Sequence, residues 1–203
     1  MPFWMLLGLF AATAAAATPA AASAPSMMPP GAEARLVELV NAYRQANGLP
    51  PVPLSPALSD VAAAHAADMA ARADGGASND LGTDRRGARC TLHSWSARGR
   101  WTPVCYTEDH AQAEAMWNKP REITGGAYAG DGYEIAFWQP GMATPEMALL
   151  GWKASAAHNA MILEAGMWKA SRWQAMGVGV SGHYAFIWFG KEPDRTTTRM
   201  AKR

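Results

Sequence analysis

The chain has 203 residues, 49% of them hydrophobic and 17% charged, with a formal net charge of +1. That length supports one domain with a sizeable core. The near-neutral balance excludes the strongly basic surface on which nucleic-acid binders depend, so no nucleic-acid partner is expected.

Met1 to about Ala24 carries no charged side chain and holds an apolar run, Phe3–Phe10, before an alanine-rich stretch. Residues 1–24 therefore read as a secretory leader, an uncleaved N-terminal anchor being the rival reading. The run is shorter than the roughly 20 apolar residues of a membrane span, so no transmembrane domain is expected after leader cleavage. The expected location is secreted or periplasmic. Cys90 and Cys105 are the two cysteines, an even number in a chain that reads as exported. They are expected to pair, in a link worth about 3 kcal/mol by the loop-entropy model. Two buried thiols are the alternative.

Residues 25–32 form a proline-rich linker. A first helix is expected from about Glu33 to Ala46, with Leu36, Leu39, Val40 and Tyr43 as its core face. Asn47-Gly48 ends it, and Leu49–Leu54 must be extended. Ser55-Pro56 opens a second helix carrying Leu58, Val61, Ala62, His65 and Met69 on one side. Asp74–Arg89 reads as a loop. Thr107-Glu108-Asp109 is expected to open a third helix that stops before Pro120. Tyr133–Trp138 reads as a strand with Glu134, Ala136 and Trp138 on one face. Thr144-Pro145-Glu146 has the chemistry of a helix start: a capping hydroxyl, a residue with no N–H to lose, and an anion at the positive dipole end. Ser155 and His158, three apart, project from one face of that helix or across a short break in it. Met176–Val180 and Tyr184–Phe189, joined through Ser181-Gly182, form a hairpin. The segment 191–203 is polar and expected to be disordered. Helices and strands do not alternate strictly, which favours α+β with an antiparallel sheet in one domain, residues 33–190.

Several of these stretches resemble the CAP superfamily, which groups cysteine-rich secretory proteins, antigen 5 and pathogenesis-related 1 proteins and is also called the SCP domain. Asn41-x-Tyr43-Arg44 and Gly48-Leu49-x-x-Val52-x-Leu54-Ser55-Pro56-x-Leu58 resemble its opening. Trp152-x-x-Ser155-x-x-His158-Asn159-x-x-Ile162-Leu163 resembles the bacterial form of its later signature, followed by Gly177-Val-Gly179 and Trp188-Phe189-Gly190. The resemblance runs from about Arg35 to Gly190 and implies an α-β-α sandwich around a central antiparallel sheet.

The family's cleft has two histidines and two acidic residues and sometimes holds zinc. By resemblance the histidines are His93 and His158. The first carboxylate is Glu134, one place late in its strand, so a bulge or shifted register near Gly132 is expected to turn it inward. Ser155 stands where the second carboxylate would be. Ala156-Ala157 replaces the usual Pro-Gly, leaving the helix free to run on. His93 and His158 are thus tentative metal ligands, and any zinc would be weakly held. The other reading is a histidine pair lining a polar cleft without metal. His65 reads as a packed structural residue, His110 and His183 as surface. Most of the nine tryptophans, among them Trp95, Trp101, Trp138, Trp152 and Trp168, read as packing residues, with a few left as candidates for an aromatic cleft wall facing a sugar or lipid.

The glycine run Gly177–Gly182 leads into a strand, so no helix N-terminus awaits a phosphate, and no nucleophile elbow occurs. Two functions follow. The first is a secreted, monomeric binding module for a lipid, glycan or protein ligand. The second is a metal-dependent hydrolase or peptidase using His93, His158 and Glu134, with Ser155 as a further tentative cleft residue.

Overall fold

The computed structural model describes residues 31–72 and 80–195, so the expected leader and nearly all of the linker lie outside the described residues. Helix α1 (Ala32–Ala46) starts from a left-handed Gly31 and buries Leu36, Val40 and Arg44. Helix α2 (Pro56–Arg72) begins as its Ser-Pro start predicts, with Leu58 N donating to Ser55 Oγ at 3.0 Å. The strands are β1 (Gly132–Trp138), β2 (Ala175–Ser181) and β3 (Tyr184–Gly190), antiparallel in the order β1-β3-β2. Gly182, at φ 55°, supplies the left-handed residue that a two-residue hairpin turn needs.

Alternating side chains give the sheet two buried faces. On one, Ile135, Val178, Val180, Ile187 and Phe189 meet Leu36 and Val40 of α1, Trp152 of α5 (Pro145–Ala154) and Ile162 of α6 (Ala156–Ile162). On the other, Ala136, Tyr184, Phe186 and Trp188 meet Leu58, Ala62 and Met69 of α2 together with Trp95. The fold is α+β, with helices on both faces of a three-stranded antiparallel sheet. The Gly-Val-Gly-Val alternation of β2 has a packing cause. A Cβ on Gly177 would lie 2.0 Å from the Leu58 carbonyl carbon, and one on Gly179 2.3 Å from that of Ala62. Only glycine lets α2 lie this close.

Three local expectations are corrected. The third helix is two short ones, α3 (Ala113–Trp117) and α4 (Lys119–Ile123), with Pro120 in the first turn of the second, where its missing N–H costs nothing. No helix opens at Thr107-Glu108-Asp109: the Asp109 carboxylate accepts from Arg86, the Thr107 hydroxyl and Ala111 N in a local turn, and His110 follows at φ 57°. The helix from Thr144 begins as expected, its hydroxyl accepting from Met147 N, but it breaks at Ser155, whose ψ of 115° is extended. The polar tail is also held further than expected. Asp194 is buried at the start of α2 and accepts from Ser55 Oγ at 2.6 Å and Ala57 N at 3.0 Å. Residues 196–203 lie outside the described residues.

Candidate functional site

Strand β1 is an edge strand, and its ladder with β3 is continuous from Gly132↔Gly190 to Trp138↔Tyr184. The expected bulge is absent from it and is not needed. In plain alternation Glu134 shares a face with Ala136, and that face is the one α2 covers. There the carboxylate is fully enclosed and both oxygens are engaged: Oε2 lies 2.5 Å from His65 Nδ1, and Oε1 lies 2.7 Å from His93 Nδ1.

His65 was expected to be a packing residue, and it does pack. Its ring is stacked on Trp95 at 4.1 Å and on Phe186 at 4.3 Å, with no exposure. It also bonds at both nitrogens, Nε2 facing the Ser94 carbonyl at 3.1 Å. Three residues on, Asp68 accepts from Ser96 N at 2.8 Å and from the Ser96 hydroxyl. One stripe of α2 thus anchors the loop that carries His93. The loop is closed by the Cys90–Cys105 disulfide, which the structure contains. It is further laced by Trp95 N to Val104 O at 2.9 Å and Thr91 N to Tyr106 O at 2.7 Å. His93 meets Tyr106 edge-on at 5.5 Å, and the Tyr106 hydroxyl lies 2.8 Å from His110 Nδ1.

These groups form the polar end of a cavity of about 530 Å³ at the β1 edge, where the two layers meet. His93, Glu134, Tyr106, His110 and His158 supply the polar side. Met116, Trp117, Met161, Met167 and Trp168 supply an apolar wall, with Met167 87% exposed at the rim. His110, expected at the surface, is exposed yet lines this cavity. His183 lies elsewhere, its Nδ1 2.9 Å from the Gly141 carbonyl oxygen. Ser155 is half-buried at the α5–α6 break and is not part of the lining.

The charges follow from these contacts. Burial pushes the Glu134 carboxyl up, but the charge of His65 and the hydrogen bonds from His65 and His93 outweigh it and hold the carboxyl below its ordinary value. Burial, with the neighbouring His93 adding to it, lowers His158 to about 4, so its ring is neutral at neutral pH. Burial and the Glu134 charge raise the Tyr106 hydroxyl.

The donor set does not fit a metal centre. Among the described residues no three His, Cys, Asp or Glu side chains are grouped to hold an ion, and both Glu134 oxygens already serve imidazoles.

The pattern of the cysteine-rich secretory protein family, CAP, matches residues 37–189. The chain belongs to this family. Its fold is similar to that of an extracellular protein containing an SCP domain from Bacillus anthracis, 19% identical with a TM-score of 0.49 over 82% of this chain and 45% of that one. It is also similar to a cysteine-rich secretory protein from Staphylococcus aureus, 16% identical with a TM-score of 0.49 over 83% and 40%. This CAP chain therefore spans less than half the length of either structure. No curated protein matches it. Among the described residues no helix of the CAP domain is long and apolar enough to cross a membrane.

The sequence reading missed the roles of His65, His110, Met116 and Trp117 around the cavity. One signal was present: His65 and Asp68 are two polar residues on the otherwise apolar stripe of α2, and buried polar groups need partners.

Proposed function

We propose that this CAP domain is an extracellular, monomeric binding module whose β1-edge cavity takes an apolar, lipid-like ligand with one polar end. The observation that carries the reading is the cavity's composition: a wall of methionine and tryptophan, ended by imidazoles with free hydrogen-bonding nitrogens. Ligand pockets combine apolar lining with a few placed polar groups in this way, whereas a glycan would ask for more donors and acceptors along the wall. The apolar leader and the disulfide support export. Zinc has no part in this reading.

Hydrolysis is the second reading, favoured by one contact: Glu134 orients His93 as a carboxylate orients a general base. No nucleophile faces that base from the cavity lining, since Ser155 lies outside it.

The test is fluorescence titration with the neutral dye N-phenyl-1-naphthylamine. Wild type should bind and brighten the dye, and Ala157→Trp, which fills the cavity from an exposed helix position, should abolish the signal. Equal binding by both proteins would place the dye elsewhere and contradict the proposal.

A further inference from the structure

The hydrogen positions around Glu134 are dictated by its neighbours. The Ser94 carbonyl can only accept, so His65 Nε2 carries a proton. His65 Nδ1, 2.5 Å from Glu134 Oε2, then cannot present a bare lone pair to a bare carboxylate oxygen, so a second proton lies on that line. Two features place it on the ring. Glu134 also accepts from His93 Nδ1 through its other oxygen, which favours the anion. Aromatic rings cover both faces of the imidazole, which favours a cation between them.

His93 is then fixed in turn. Its Nδ1 donates to Glu134, leaving Nε2 toward the cavity with no protein hydrogen-bond partner among the described residues. A proton on that nitrogen would make a second cation beside an apolar wall, while the single negative charge of Glu134 is already balanced by His65. His158, neutral and also without such a partner, lines the same cavity.

We propose that buried His65 carries the positive charge that keeps Glu134 an anion, and that the pair holds His93 with a bare Nε2 facing the cavity. The polar end of the cavity thus offers a fixed hydrogen-bond acceptor at His93 Nε2, beside a neutral His158 ring that carries one donor and one acceptor. The ligand is an apolar molecule that sets a neutral hydroxyl or N–H donor against His93. The ligand half of this inference rests on the binding reading above. The proton half does not.

Two measurements on the intact protein at about pH 8, above the ordinary histidine range, test it. In nitrogen spectra of 15N-histidine-labelled protein, His65 should show both ring nitrogens protonated, and His93 a protonated Nδ1 with a bare Nε2. A bare His65 Nδ1, or a proton on His93 Nε2, overturns the proton placement. In calorimetric titrations, 2-naphthol should bind roughly 3- to 10-fold tighter than 2-methoxynaphthalene, the equivalent of one net hydrogen bond, and tighter than 2-naphthoate. Glu134→Gln, which removes the anion and resets the His93 proton, should abolish that preference. Equal affinities for naphthol and its methyl ether in wild type overturn the donor assignment. If none of the three binds, the ligand assignment falls together with the binding reading, while the nitrogen spectra judge the proton placement by themselves.

Discussion

The two faces of the sheet are built on opposite principles. The face toward α1, α5 and α6 is apolar throughout its middle, and its buried charge, Arg44, sits at the margin. There Arg44 bonds the Pro50 and Ile162 carbonyls and Glu164 Oε1 at 2.8 Å, tying α1 to the end of α6. The face toward α2 holds its ionisable groups centrally, with Glu134, His65 and Asp68 all buried. Burying charge costs free energy unless it is closely paired. The difference teaches that one layer mainly holds the sandwich together, while the other accepts polar burial to fix a loop and a histidine at the sheet edge.

The largest effect expected on the first face comes from Arg44→Ala, which strands Glu164 and two carbonyls. It should destabilise the protein by about 3–5 kcal/mol in urea unfolding, and a loss under about 1 kcal/mol would show that the margin does not lock the layer. On the second face, replacing Cys90 and Cys105 by serine should cost about 3 kcal/mol. It should also weaken dye binding, because the freed loop carries His93. Unchanged dye affinity would break the link drawn between loop and cavity. Gly179→Ala should cost about 1–3 kcal/mol by pushing α2 off β2. Ile135→Val, one residue from Glu134 but on the apolar face, should cost about 1 kcal/mol and leave dye affinity unchanged. A change in affinity from that substitution would blur the division of labour.

A further effect concerns pH. His158 titrates at about 4 in the fold against an ordinary 6.5, so between those values the unfolded chain binds more protons. The stability that goes with its neutral ring is present above about 6.5 and lost as pH falls toward 4. His158→Asn should flatten this part of the stability–pH curve, leaving the Glu134 contribution, which is lost only below about 4.5.

Much of the fold was legible because it follows local rules. Thr144-Pro145 starts a helix through its cap, and the alternation after Ala175 pairs as a hairpin. The glycines of β2 were legible as a pattern, but their cause, the backbone of α2 at Leu58 and Ala62, is a tertiary contact. The third helix failed to start at Thr107 because His110 takes a left-handed φ of 57°, while Asp109, held by Arg86 over 20 residues away, caps only the local turn at Ala111 N. In the site, the family resemblance brought His93, Glu134 and His158 to notice. Periodicity placed His65 correctly on a buried face, yet nothing local says that a carboxylate 69 residues on faces it. The apolar wall was least legible, since a methionine or tryptophan lining a cavity reads in sequence like one filling a core.

The most direct test of an apolar ligand at the β1 edge is to follow the tryptophan indole N–H signals by NMR while adding N-phenyl-1-naphthylamine. Trp117 and Trp168 line the cavity, whereas Trp152 and Trp188 are sealed in the two cores. The account predicts that the first two signals shift in step with occupancy and that the last two stay in place. Shifts confined to other tryptophans, or none at saturating dye, would contradict it.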